Sequence, residues 1–218
     1  MLTLHTIPGS PYGRAAVIAC IEKNAPYRLR AVKPGEHRQP AYLAHHPFAR
    51  IPTLEDDGFW LYETQAIVRY IDATQGAPRA LTPNDPKAEA RMNQAIGIVD
   101  WYFFADRSAK DIGFHRVVGP RLGFPVSDEA VAAALPAARH AVGVLAGFLE
   151  KRPYLGGDAF SLADIHAGPH LDMLSECDEG AAMIEGTPIA GWLARLRVRP
   201  SFAATTWDRM EAAVAEAA

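Results

Sequence analysis

Glu63 and Thr64 stand where this chain could hold a small anion. The stretch ARIPTLEDDGFWLYETQAIVRYI, from Ala49 to Ile71, reads as an extended run into a proline, then a strand hairpin, then a helix. The helix has apolar positions at Ala66, Ile67, Tyr70 and Ile71. Thr64 therefore opens a helix. Unpaired amides and the positive end of the helix dipole attract carboxylates or phosphates there, and a hydroxyl adds a donor. Ile51 precedes Pro52, which has no amide hydrogen and biases its neighbour toward extended geometry, so a strand must start or bend at that point. Ser10 puts a second hydroxyl before a helix, after the turn residues Pro8 and Gly9.

The elements that must carry these residues follow from local pattern. A strand-like run from Leu2 to Ile7 leads into Ser10. A helix through about Asn24, a second strand from Tyr27 to Val32 and a short helix near Tyr42 come next. Asp57 and Gly58 supply the turn between the strand after Pro52 and a short strand of Phe59, Trp60 and Leu61. The order β-α-β-α-β-β-α predicts an α/β domain on a four-stranded mixed sheet, over residues 1–77. Gly76 to Asp85, with Pro78, Pro83 and Asn84, reads as a linker. From Pro86 onward the spacing is helical, as at Met92, Ile96, Val99 and Phe103, so residues 86–218 are expected to form an all-α helix bundle.

The whole chain has 218 residues, enough for one large core or two modest ones. Its formal charge of -3 carries no basic run, which argues against a nucleic-acid partner. Cys20 and Cys177, far apart and in no metal-binding spacing, fit a reducing compartment and point to the cytoplasm. The start lacks a cationic region followed by a long apolar stretch, and no window approaches ~18 uncharged apolar residues, so no membrane association is expected.

An α/β domain with Ser10 after strand one, Pro52 before strand three and Glu63-Thr64 at a helix start, followed by a helical domain, resembles the cytosolic glutathione transferases over the whole chain. The first domain is thioredoxin-like in that family. Ser10 followed by Arg14 is similar to the serine-type theta- and phi-like branch, and GEHRQPAYLAHHPFARIP looks phi-like or bacterial. The resemblance implies a cis peptide before Pro52, a state that only ~5 to 6 per cent of X-Pro bonds adopt. It also implies that Ile51 pairs through its backbone with the cysteinyl main chain of glutathione, as an added strand would.

By the same resemblance Ser10 is the catalytic residue. Glutathione is then bound by Gly9, Ser10, His37, Arg38, Arg50, Ile51, Pro52, Glu63 and Thr64. The Glu63 carboxylate faces the γ-glutamyl ammonium, and Thr64 with the helix amides faces the α-carboxylate. His37, Arg38 and Arg50 supply donors or charge for the glycyl carboxylate. Arg50 stands where that branch more often has glutamine or lysine, and Thr64 replaces the commoner serine. A thiol near pKa ~8.5 is only a few per cent ionised at neutral pH, and lowering it by about 1.5 units takes about 2 kcal/mol. One charge-assisted hydrogen bond is worth ~1.5 to 3 kcal/mol, so a single hydroxyl suffices. Tyr12 is the alternative donor. Ser10-Pro11-Tyr12-Gly13 also parallels the Cys-Pro-Tyr-Cys of glutaredoxins, but both sulfurs are absent and disulfide exchange at this position is excluded.

Tyr12, Tyr102, Phe103 and His115, with Phe114, are the candidates for lining an electrophile pocket. Ser161 and Asp164 form a capping-box pattern with Phe160 and Ile165 as its hydrophobic staple, a role in stability. His166 and His170 lie four apart, but Gly168 and Pro169 intervene and no third ligand is evident, so no metal is expected. The function implied is conjugation of glutathione to a small hydrophobic electrophile, with glutathione as cosubstrate, no further cofactor and a homodimer, as in detoxifying relatives. Glutathione-dependent isomerisation or dehalogenation, or a non-catalytic binding protein on the same fold, are the alternatives.

Overall fold

A computed structural model describes residues 1–76, 81–105 and 107–216. The first strand, β1 (Leu2–Thr6), is followed by α1 (Pro11–Glu22), β2 (Tyr27–Ala31), α2 (Pro40–Leu43), β3 (Thr53–Asp56), β4 (Phe59–Tyr62) and α3 (Thr64–Thr74). The sheet order is β2-β1-β3-β4, with β1 parallel to β2 and antiparallel to β3, the mixed four-stranded sheet that the sequence predicts. Asp57 and Gly58 both have positive φ, 47° and 87°, as a two-residue hairpin turn requires. Leu2, Leu4 and Leu54 are buried on one sheet face, and α1 and α3 bring Ile18, Ala19, Ile67, Val68 and Ile71 to the same core. On the opposite face His5 lies 4.8 Å from Trp60 between ring centroids, and His45, just after α2, stacks on Trp60 at 3.6 Å.

Chain contacts divide the protein into two compact units, residues 1–81 with 197–218, and residues 82–196. The expected helical domain of 86–218 is thus split, because its last 22 residues pack with the sheet unit. Composition could not reveal this, since the pattern stays helical through the division. Of the expected linker, residues 77–80, Pro78 included, lie outside the described residues. Leu81 is buried and its amide donates to Asp72 Oδ1, 2.9 Å away. Asp72 also pairs with the buried Lys23 at 3.1 Å.

The second unit consists of α4 (Pro86–Ile98), α5 (Ala109–Gly113), α6 (Gly119–Leu122), α7 (Asp128–Leu149), α8 (Leu162–Leu174), α9 (Asp178–Ile184) and most of α10 (Pro188–Arg197). Two π-helical turns, Val99–Phe103 and Phe114–Val118, interrupt the early helices. Every residue of α8 from Leu162 to Leu171 is buried, as expected of a helix surrounded by others. By length and composition α7 is apolar enough to cross a membrane, although Asp128, Glu129 and Arg139 keep it from being an uncharged run. Its stripe of Val131, Ala134, Ala138, Ala141, Val142 and Leu145 is buried within the unit. The remaining helices, α11 (Pro200–Ala203) and α12 (Trp207–Glu216), belong to the first unit.

Candidate functional site

Register gathers the candidate residues at one end of the sheet. His5 is paired with Thr53, Thr53 with Tyr62, and Thr6 with Ala31. The end of β1, the start of β3, and the ends of β4 and β2 therefore lie side by side. From them emerge the Ser10 loop, Ile51-Pro52, Glu63-Thr64 and the loop bearing His37 and Arg38. Strand pairing alone brings four separate stretches of sequence to one end of the sheet.

Ser10 is the N-cap of α1. Its Oγ accepts the Gly13 amide hydrogen at 3.2 Å, and Pro11 follows as the first helical residue. A serine hydroxyl that accepts one hydrogen bond still has its own hydrogen to donate. Gly13 is pressed against β1, where an added Cβ would overlap Thr6 Oγ1, so the helix start has little room to shift. Gly9 has φ +83°, the left-handed conformation that only glycine adopts at low cost. The first turn of α1 carries no acidic residue, leaving its dipole uncompensated by side chains. Tyr12 is half-buried in that turn. Arg14 bonds the Phe202 carbonyl at 3.2 Å and Thr205 Oγ1 at 3.3 Å, so it ties the carboxy-terminal segment to α1.

The Ile51-Pro52 peptide is cis. The Tyr42 hydroxyl donates to the Arg50 carbonyl at 3.0 Å, which fastens the backbone entering that peptide. Glu63 caps α3 with φ 69° and ψ 111°, a conformation a non-glycine residue holds only at a cost of ~1 to 3 kcal/mol and one typical of ligand sites. Its side chain is exposed and makes no capping bond, while its carbonyl accepts from the Ala66 and Ile67 amides. Thr64 is buried.

His37 lies on a 3₁₀ turn, Glu36–Arg38, with Arg38 and Arg50 exposed. Burial and the charges of Arg38 and Arg50 push the His37 imidazole below its usual pKa, so the three share one neighbourhood and the ring is neutral near pH 7. Glu36 pins this loop by accepting from the Lys33 amide at 2.9 Å and from Arg30 at 2.6 Å. His46 is likewise held below its usual pKa by burial and by Arg50, with its ring 4.9 Å from that of Tyr62. Tyr42 and His46 were not singled out from the sequence as site residues. Their contacts, with Arg50 and Tyr62, lie outside their own element, and local periodicity does not register them.

The second unit treats its candidates unequally. Tyr102 is 66% exposed on the first π turn, as is its neighbour Trp101 at 76%, whereas Phe103 is 2% exposed and packs on His170. Phe103 is therefore a core residue and not a pocket wall. Its position was misjudged because the wider π turn changes which member of an aromatic run points inward. His115 Nδ1 accepts the Ser127 amide at 3.2 Å, and the ring meets Phe114 edge-on. His166 Nε2 lies 2.8 Å from Asp100 Oδ1, and burial lowers the His170 pKa to about 3. Among the described residues no cluster of three or more His, Cys, Asp or Glu is placed to hold a metal.

The buried Asp164 carboxylate accepts from the Ser161 amide (2.9 Å), Ser161 Oγ (3.1 Å), the Leu155 amide (3.0 Å) and Trp192 Nε1 (2.8 Å). Phe160 and Ile165 are both buried beside it. These are structural residues.

Comparison with known proteins places this arrangement. Residues 4–79 match the family model "Glutathione S-transferase, N-terminal domain" and residues 93–200 match "Glutathione S-transferase, C-terminal domain". A glutathione S-transferase of Arabidopsis thaliana is 34% identical over 170 residues, covering 76% of this chain and 77% of its own. One from Hyoscyamus muticus is 29% identical over 204 residues, covering 92% and 95%. Among solved structures, a glutathione transferase from Populus trichocarpa superimposes with a TM-score of 0.82 at 25% identity, covering 98% of this chain and 99% of its own. A theta class enzyme from Xanthomonas axonopodis pv. citri, solved with glutathione bound, gives 0.77 at 27% identity, with 94% and 96% covered.

Proposed function

The chain belongs to the glutathione S-transferase family, and on that footing we propose that Ser10 donates its hydroxyl hydrogen to the sulfur of bound glutathione and holds it as the thiolate. The observation that carries this reading is the cap geometry. The Ser10 oxygen is occupied by the Gly13 amide, its hydrogen is available, and the amino end of α1 adds positive potential at the same point. The thiol gives its proton to solvent. The sulfur lone pair then forms a bond to an electrophilic carbon, and the leaving group departs with the bonding electrons.

The rest of glutathione is bound at the same end of the sheet. Ile51 offers its backbone to the cysteinyl residue, Glu63 faces the ammonium, and Thr64 with the amino end of α3 takes the α-carboxylate. Arg38 and Arg50, with neutral His37 as a donor, face the glycyl carboxylate. The electrophile is small and apolar, and the protein works as a cytoplasmic homodimer. Its two cysteines, both free, fit a reducing compartment.

The test is an ultraviolet difference spectrum of the protein mixed with glutathione at neutral pH. Wild type is expected to show a thiolate band and Ser10→Ala to lose it while still binding glutathione. A band that persists in Ser10→Ala overturns the assignment and points to Tyr12.

A further inference from the structure

Gly9 and Trp207 are 198 positions apart, yet the indole of Trp207 occupies the side of Gly9 where any other residue would carry its Cβ. An added Cβ would overlap Cε3, Cζ3 and Cδ2 of the ring. The ring is half-buried, and its Nε1 donates to Glu211 Oε1, one turn further along α12, at 2.6 Å.

The segment that brings Trp207 there is fastened along α1 from one end to the other. At the carboxy end of α1, the Glu22 carboxylate takes two bonds from Arg199, at 3.0 and 2.7 Å, and one from Ser201 Oγ at 2.5 Å. In the first turn, Arg14 bonds the Phe202 carbonyl and Thr205 Oγ1, with its guanidinium 5.5 Å from the Phe202 ring centroid. Thr205 is fully buried and donates back to the Ser201 carbonyl at 2.8 Å. Beyond these anchors comes Trp207, at the loop that precedes the helix. The segment therefore runs antiparallel to α1, and its ring is fixed in the same frame as the Ser10 cap.

We propose that Trp207 is a positioning residue for Ser10, closing off alternative conformations of the Gly9-Ser10 backbone so that the hydroxyl is already aimed when the thiol arrives. Glycine in a left-handed turn has more states open to it than any other residue. A rigid ring against its open side removes them without adding a contact to substrate. Misplacement of a catalytic group by a fraction of an ångström weakens a hydrogen bond steeply, so a ring that never touches the sulfur can still govern its ionisation. The inference rests on the reading of Ser10 as the thiolate donor.

The experiment compares full-length wild type, Trp207→Ala, Trp207→Phe, Glu211→Ala and Ser10→Ala, each well below its melting temperature. The pH dependence of kcat/KM for chlorodinitrobenzene at saturating glutathione, and the thiolate difference band, report the pKa of the bound thiol. Trp207→Ala is expected to raise that pKa by about 0.5 to 1 unit and to lower kcat near pH 6.5 by about threefold to tenfold. The loss should shrink as pH rises past the thiol pKa, with KM for glutathione changed by less than about threefold. Trp207→Phe, which restores a flat ring, should recover most of the wild-type profile. Glu211→Ala, an exposed change that only releases the indole, should shift the pKa the same way but less, and it decides the matter if Trp207→Ala does not fold. A wild-type thiol pKa in folded Trp207→Ala overturns the proposal whatever happens to the melting temperature. If Ser10→Ala loses the band while Trp207→Ala keeps it, the role of Ser10 stands and that of Trp207 falls. A band retained in Ser10→Ala removes the premise and the proposal with it.

Discussion

Capping and the proposed catalysis are compatible demands on Ser10, because the cap uses the oxygen as acceptor and the proposed chemistry uses the hydrogen as donor. Accepting the Gly13 amide polarises the hydroxyl and makes it a better donor. Glu63 shows the converse, a residue whose backbone pays for its position. Its φ of 69° would suit glycine, so a glutamate there is in keeping with the proposed role of its carboxylate at the ammonium. Glu63→Gly should therefore raise KM for glutathione about tenfold, the scale of one lost charge-assisted bond, with no fall in melting temperature. Steady-state kinetics beside a thermal melt checks both halves, and an unchanged KM would remove the carboxylate from the ammonium site. The sequence made Ser10, Pro52 and Thr64 legible because each is a local signal, a cap, a breaker or a helix start. It left Tyr42, His46 and Trp207 unread because the contact of each reaches outside its own element, to Arg50, Tyr62 and Gly9 respectively, and periodicity holds no record of such contacts.

Among the elements, α8 shows how a local signal becomes a long-range one. The Ser161-x-x-Asp164 pattern announces a capping box, and the structure extends it: Asp164 also receives the Leu155 amide and the Trp192 indole, joining the loop before α8 to α10. Four donors converge on a carboxylate that burial raises above its usual pKa. Asp164→Ala strands all four in the core and should lower stability by about 3 to 5 kcal/mol in chemical denaturation. Ser161→Ala removes one donor and should cost only about 1 kcal/mol, with the thiolate band of bound glutathione unchanged in both variants while folded. If Ser161→Ala melts like wild type, the cap contributes nothing here. Tyr42 plays the corresponding part in the sheet unit. Tyr42→Phe frees the Arg50 carbonyl, a loss of ~1 kcal/mol in the backbone beside Pro52, and should raise KM for glutathione about threefold to fivefold without altering the thiol pKa. A shifted thiol pKa would mean that this loop also reaches the sulfur.

Across the whole molecule, the onset of acid destabilisation between pH 7 and 5 falls to imidazoles that folding keeps neutral. Burial lowers the pKa of His5 and His46 in the sheet unit and of His170 in the helical unit, the last to about 3. An unfolded histidine takes its proton near pH ~6.5, so below that value the unfolded chain binds more protons than the folded one and stability falls with pH. Above it the contribution is constant. For His170 the penalty at pH 5 is about 2 kcal/mol, set by the unfolded pKa alone, and it continues to grow down to about pH 3. Asp164 acts in the opposite sense. Its raised pKa lets the folded state take up a proton first, which favours folding as pH drops through the carboxylate range. That range lies mostly below the pH at which the histidines begin to titrate, so they dominate the upper part of the acid limb. The melting temperature should be level from pH 8 to 7 and fall by several degrees by pH 5. His170→Gln, which cannot take a proton in either state, should flatten that limb although it lowers the plateau. An identical slope in wild type and variant between pH 7 and 5 would show that the proton uptake belongs to other groups.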